Sequence, residues 1–247
     1  MHETIATIAE LWRYPVKGMH GERLEALHLD KYGVAGDRAW AVSSSGAPSG
    51  KPMLSGAERA AMLLFSAEGE GNSTKVTAPD GTRFSAADPC LLASMERHLP
   101  GKHALQMLHS ERPMTDVRPI SVLGSGTIRQ MEQELGRVVD ARRFRANILL
   151  DFSPSQQGFT EDALVGRSIR LGEDAVLFIT ERDPRCRIVT LDPQTAAADP
   201  LLMKHLDRQH QGRVGVYATV ERTGWLRVGD PVAMLREVDC PPGVPST

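Results

Sequence analysis

Cysteine is scarce in this chain: Cys90, Cys186 and Cys240 are the only three among 247 residues. That count excludes a disulfide framework, and it excludes an intrinsic plant-type iron-sulfur cluster, which takes four cysteines. No CxxC and no HExxH occurs, and His205 and His210 stand five apart, a spacing that puts them on different helix faces. A structural zinc is therefore not expected. Aromatic residues are few, at 5%. No stretch approaches the roughly 18 apolar residues needed to span a bilayer. Met1-His2-Glu3-Thr4 lacks the basic-then-apolar plan of a signal peptide. These absences predict a chain in the reducing cytoplasm, away from membranes. Neither sign of charge dominates, with 29 Lys and Arg against 31 Asp and Glu. The longest basic run is Arg142-Arg143, so the concentrated positive field that grips nucleic acid is not written here. Gly124-Ser-Gly126 lacks the third glycine of a dinucleotide loop, and neither GxSxG nor GxxxxGK[ST] occurs. No flavin site of its own is expected.

What is present is an ordinary globular balance, 41% hydrophobic and 24% charged, in a length suited to one large or two small domains. The patterning predicts a mainly β (α+β) fold. Val214, Val216, Ala218 and Val220 alternate with Gly215, Tyr217 and Thr219, the period of a strand, and Thr223-Gly224 turns the chain into a return strand over 225–228. Two further hairpins are predicted, 168–171 with 176–180 and 75–78 with 82–84, the latter across Pro79-Asp80-Gly81. Apolar runs add strands at 5–13, 24–29, 38–42 and 147–150. A helix is read at Ile128, Met131, Glu132 and Leu135 with Ser125 as cap, its Glu132 and Glu134 solvated. A second begins at Asp199-Pro200, with Leu202, His205 and Leu206 facing the core. A third runs from Pro89 to His98, capped by Asp88. A boundary at Leu99-Pro100-Gly101-Lys102 divides the chain into 1–104 and 105–240, with 241–247 a tail and 43–50 a mobile loop.

Three stretches carry candidate chemistry. In the first, Cys186 stands between Arg185 and Arg187, after Pro184. Flanking guanidiniums favour thiolate, the state that binds metals. On local sequence alone, a small buried hydrophobe is the commoner outcome for a free cysteine, although two arginines argue against full burial. In the second, Pro15 and Gly18 bracket Lys17, while Gly33, Gly36 and Asp37 set Arg38 at a strand entrance. Cations on rigid turns suit a phosphate, and solvated surface charge is the alternative. The third runs from Asp116 to Ser121 and from Asp140 to Ile148. There Arg143 and Arg145 are expected on one face of an extended segment with Phe144 opposite, ready for a polyanion or for salt bridges to Asp140 and Asp151.

In order and spacing these motifs resemble the MOSC superfamily, in particular the mitochondrial amidoxime-reducing components and their bacterial counterparts. The resemblance rests on Tyr14-Pro-Val-Lys-Gly18 and Gly36-Asp-Arg-Ala-Trp40, then Arg142-Arg-Phe-Arg-Ala-Asn-Ile148. It continues through Arg185-Cys186, Thr190 and Asp192-Pro-Gln-Thr195 to Gly215-Val-Tyr-Ala-Thr-Val220 and Leu226-Arg-Val-Gly-Asp-Pro-Val232. It implies two linked β-barrel-like modules with peripheral helices: an N-terminal module over 1–104 and the MOSC domain over 105–240. It implies a molybdenum cofactor, with Cys186 the catalytic residue and metal ligand, and Lys17, Gly18, Arg38, Ser121, Arg143, Arg145 and Asn147 about the pterin. The implied activity reduces small N-hydroxylated compounds, N–OH to N–H. Its electrons come from a separate flavoprotein reductase and a ferredoxin- or cytochrome-type carrier. A persulfide-based sulfur carrier and a cofactor-binding module without turnover are the alternatives. The chain departs from the family pattern at Gly18, where some relatives carry serine, at Ala146 for proline, and at Ala196 for glycine.

Overall fold

The computed structural model describes residues 3–45, 53–99, 104–153 and 158–235. Cys240, the expected tail, most of the expected loop at 43–50 and the boundary at 100–102 lie outside the described residues. In chain order come β1 (Thr4–Arg13), β2 (Glu22–Leu24), β3 (Ala26–Asp30), β4 (Gly33–Val34), β5 (Trp40–Ser44), β6 (Ser66–Glu68), β7 (Lys75–Thr77), β8 (Arg83–Ser85) and α1 (Pro89–His98). Next are β9 (Leu105–His109), β10 (Ile120–Gly124), α2 (Ser125–Leu135), β11 (Ile148–Phe152), β12 (Ser168–Leu171) and β13 (Ala175–Pro184). The series closes with α3 (Pro200–His210), β14 (Arg213–Arg222), β15 (Gly224–Arg227) and β16 (Pro231–Met234).

Seven strands form a closed barrel in the order β11, β10, β14, β13, β12, β16 and β1, with β1 returning to β11. All neighbours are antiparallel except β10 and β11. The alternation read in the sequence is the reason the ring has an inside. Val216 and Ala218 are fully buried with Ile8, Val122, Ile148 and Leu177. Each of the valine, isoleucine and leucine side chains contributes about 1.5–3 kcal/mol relative to exposure. Closure also removes unpaired edges, which open sheets must otherwise protect.

A second core gathers Val42, Met62, Phe65, Val76, Leu91 and Met95 beside the barrel. Of the two barrel-like modules expected, one closes as a barrel among the described residues, and the architecture is α+β with peripheral helices. The N-terminal strands are short and fall into separate sheets, the pair β5–β9 and the meander β6–β7–β8, so no second ring of hydrogen bonds closes among the described residues. Two strands of that same region serve elsewhere, β1 as a barrel stave and β3 as partner of β15.

Several local expectations change for identifiable reasons. Trp225 and its neighbours do form a strand, but it pairs with β3 instead of returning along β14. Ser125 is not a cap; it opens α2 and donates from Oγ to Asp151 Oδ1 at 2.5 Å. Asp199 sits at the N-cap of α3, yet its carboxylate is drawn off by Arg137 and caps nothing. Asp88 does cap α1, accepting from the Cys90 amide at 2.8 Å. Leu202 and Leu206 face the core as expected, whereas His205 and Glu134 meet each other at the surface. Residues Ala141–Phe144 form a 3-10 turn in place of the extended segment, held by Asp140 accepting from the Arg142 amide and guanidinium.

Candidate functional site

At one end of the barrel, the entrances of β10 and β11, the end of β13 and the loop after β1 converge on a cleft. Cys186 follows β13 and opens a 3-10 turn over Arg187–Thr190. Its backbone is extended, its side chain makes no cap hydrogen bond, and the thiol is exposed. Val189 and Thr190 are buried just behind it and hold the turn down.

The chain reaches Cys186 through an irregularity between Arg182 and Pro184 in the β13–β14 pairing. Bulges of this kind bend a strand and re-aim a side chain. Here the re-aimed side chain is Asp183, only 1% exposed. Its Oδ2 accepts from Ser121 Oγ at 2.7 Å and pairs with Arg185 Nη1 at 2.8 Å. Its Oδ1 is buried without a hydrogen-bond partner among the described residues. Burial pushes the Asp183 carboxyl up, against the pull of Arg185. Tyr217, on β14, is likewise pushed up by burial and then by Asp183. Arg185 is fixed on three sides, donating to Val214 O at 2.7 Å and to Phe144 O at 2.8 Å besides its ion pair.

Opposite stand two more guanidiniums. Arg145 ends the 3-10 turn in the left-handed region, φ 52°, and Arg38 enters β5 at φ 49°. Both lie over the ring of Tyr14, at 4.3 and 5.0 Å from its centroid. Arg38 pairs with Asp37. Arg145 is 8% exposed; Nη1 donates to Met19 O at 2.7 Å, while Nη2 is buried without a partner among the described residues. Burial, and then Arg38, push Arg145 down to about 10. Lys17 is 5% exposed and donates from Nζ to Met114 O at 2.9 Å and to Asp116 Oδ1 at 2.7 Å. Gly18 turns at φ +83°, and a Cβ there would meet Ser55 Cα at 2.8 Å, so backbone alone fits beside Lys17.

Seven of the eight residues named from the sequence therefore border one cleft: Lys17, Gly18, Arg38, Ser121, Arg145, Asn147 and Cys186. Asn147 is fully committed there, accepting from the Ser121 amide and donating to Trp12 O, so it ties β10 and β11 to β1. Arg143 is not brought in. It turns away to Thr190 O at 3.0 Å and Asp192 Oδ2 at 3.1 Å, because the 3-10 turn puts it and Arg145 on different sides. Sequence reasoning missed Asp183, Arg185 and Tyr217. The first two stood in the same short stretch as Cys186, and Tyr217 was hidden on the polar side of the alternation.

The cleft is lined by five cations, Lys17, Arg38, Arg118, Arg145 and Arg185, against the carboxylates of Asp116 and Asp183. That surplus, with an unpartnered guanidinium NH2, suits an anion. Its enclosed volume is about 120 Å³. Pockets that enclose a drug-sized ligand run to roughly 300–1,000 Å³, so a larger ligand would extend beyond the enclosed part.

Comparison with known proteins places the chain in a family. Residues 5–97 match the MOSC N-terminal beta barrel domain, and residues 109–233 match the MOSC domain. Mitochondrial amidoxime reducing component 2 of Bos taurus is 21% identical over 94% of this chain and 84% of its own length. Mitochondrial amidoxime-reducing component 1 of Mus musculus is 23% identical over 94% and 83%. A solved structure of the YUAD protein from Bacillus subtilis covers 95% of this chain and 98% of its own, at 16% identity and a TM-score of 0.48. The curated relatives from cattle, mouse and human are all named as mitochondrial, which overturns the cytoplasmic placement. A low cysteine count does not separate the cytoplasm from an organelle interior. Cys186, Arg145 and Asn147 fall within the stretch matching the MOSC domain, Lys17 and Arg38 within the N-terminal match, and the chain belongs to the MOSC domain family.

Proposed function

We propose that this chain is a molybdenum-cofactor-binding oxidoreductase that reduces small N-hydroxylated compounds, N–OH to N–H. The observation that carries the reading is the exposed Cys186 thiol at the mouth of a cleft with surplus cations. The relatives' names supply the reaction class. The residues fit the group: a soft thiolate suits an oxophilic metal held by sulfur, and the unpartnered Arg145 Nη2 suits an anionic pterin. When bound, the cofactor supplies the two-electron chemistry.

The chain's own residues would divide the remaining work. Cys186 Sγ would provide the protein ligand, and Lys17, Arg38 and Arg145 would hold the anionic portion, with Gly18 packing its turn against Ser55. Converting N–OH and two electrons to N–H and water consumes two protons. Asp183, whose carboxyl is raised by burial, can hold one at Oδ1 beside the cleft. Electrons come from a separate donor, a flavoprotein reductase with a small iron-sulfur or cytochrome carrier, because the sequence offers neither a dinucleotide loop nor four cysteines.

The test is molybdenum per chain in protein from a cofactor-competent host, with turnover of an amidoxime by reduced viologen. Wild type should carry close to one metal and turn over, and NADH alone should drive nothing. Cys186→Ser should lose both metal and turnover with an unchanged far-UV spectrum. Wild-type protein that carries sulfane sulfur on Cys186 and no molybdenum would instead favour the persulfide carrier.

A further inference from the structure

Away from the cleft, α2 brings Glu134 to His205 and His210 of α3, which meet at one carboxylate despite the spacing that predicted different helix faces, His210 being the last residue of the helix. His205 Nε2 and His210 Nε2, both in the second half of α3, each lie 2.7 Å from the same atom, Oε2 of Glu134 near the end of α2. The two imidazole centroids are 5.6 Å apart, and the three donor atoms all fall within 4.8 Å of one another. We propose that Glu134, His205 and His210 form a binding site for a divalent transition-metal ion, zinc foremost, with water completing four-coordination.

The donor set is the first argument. Two imidazole nitrogens and one carboxylate are a known zinc combination, and nitrogen donors favour zinc over calcium or magnesium. Convergence is the second. Both Nε2 atoms converge on Glu134 Oε2, so the three donors already lie together, and a cation seated between them would replace the two hydrogen bonds. Tetrahedral zinc donors stand roughly 3.3 Å apart, so side-chain rotation would have to open the 2.7 Å contacts to Glu134 and draw the two imidazole nitrogens, now within 4.8 Å of each other, toward that spacing.

The surroundings are the third. Gln130 Nε2 donates to the other Glu134 oxygen, Oε1, at 3.0 Å and orients the carboxylate. The Phe159 ring lies 4.2 Å from that of His210, and the side chains of His205, His210 and Glu134 are only 16, 12 and 24% exposed. Burial raises the Glu134 carboxyl, but the bonds from His210, Gln130 and His205 outweigh it and hold the group at about 2, so it is ionised at neutral pH. Asp162 has a buried Oδ1 without a hydrogen-bond partner among the described residues, and burial pushes its carboxyl up against the pulls of Arg182 and then His210. Its other oxygen faces Arg182 at 2.8 Å. An ion here would tie α2 to α3, and α3 packs on the 3-10 turn that follows Cys186. The site is distinct from the cleft and stands whether or not the cleft holds a pterin.

The test uses the untagged full chain, freed of metal by chelator and titrated with zinc and with cobalt(II). Wild type and a Cys90→Ser/Cys186→Ser double variant should each bind one equivalent of zinc with equal affinity. His205→Ala, His210→Ala and Glu134→Gln should each weaken binding more than about 100-fold, beyond the roughly 10–100-fold loss expected for an outer partner such as Gln130→Ala. The wild-type cobalt adduct should show four-coordinate visible bands without sulfur charge transfer. Zinc should raise the melting temperature in proportion to the logarithm of its concentration. No stoichiometric binding by wild type would overturn the site, leaving the histidines as a hydrogen-bonded clamp. Undiminished binding in His210→Ala, or a sulfur charge-transfer band, would overturn it equally. If a histidine variant fails to fold, Glu134→Gln and the wild-type cobalt spectrum still decide.

Discussion

Arg145 and Glu161 are both buried charges, and they differ in what their neighbours leave undone. Arg145 has one guanidinium nitrogen with no partner and a second cation, Arg38, over the same tyrosine ring. Arg145→Met should therefore reduce anion or cofactor retention about 10–100-fold, the worth of a charge-assisted hydrogen bond of roughly 1.5–3 kcal/mol. The melting temperature of the ligand-free protein should move by only a few degrees, because the cost of burying the charge is removed with it. Molybdenum content and calorimetry on the same preparation check both halves. Glu161 is fully buried, accepts from Thr127 Oγ1 at 2.6 and 2.8 Å, and is pushed up from 4.5, chiefly by burial. A carboxyl whose folded pKa is raised contributes its full stability below the unfolded value and loses it as pH rises through the folded one. Glu161→Gln does not titrate, so its melting temperature relative to wild type should climb from about pH 4.5 and then level off. Parallel curves across that range would show that the carboxylate is accommodated without cost.

Helices and hairpins were the most readable elements, since their signals lie within a few residues. Asp88-Pro89 announced α1 with its cap, and Pro79-Asp80-Gly81 announced the β7–β8 turn, where Gly81 has φ 85°. Asp88→Ala should cost about 1 kcal/mol, a fall of roughly 2–4 °C in a chain of this size, with Cys186 reactivity unchanged; thermal melts and thiol titration measure the two. The misread elements share one cause, a distant partner that outbids the local one. Asp199 answers to Arg137, Ser125 to Asp151, and β15 to β3. The candidate site was legible to the extent that its residues recur in short motifs. Asp183 and Tyr217 needed the bulge in β13 and the ring of strands before they could be seen as neighbours, and Glu134 needed the packing of α2 against α3.

For the whole molecule, the barrel joins what the sequence seemed to separate. β1 and β3 come from the first hundred residues, yet they pair with β11, β16 and β15. A fragment covering 105–240 lacks one stave of seven and should not unfold cooperatively. Adding a peptide of residues 3–14 in trans should restore a sharp thermal transition. A fragment that melts sharply by itself would show that six strands close without β1. The same seam has a consequence for how the chain is made. β1 leaves the ribosome before its partner β16, with about 220 residues between them. At about 5–20 residues per second, β1 waits roughly 10–45 s with an unsatisfied edge. Exposed apolar edges invite pairing with other chains. Codon-level pauses between β14 and β16 would lengthen that wait without altering any native contact, so slower translation over these strands should lower the soluble fraction, which expression of synonymous variants measures.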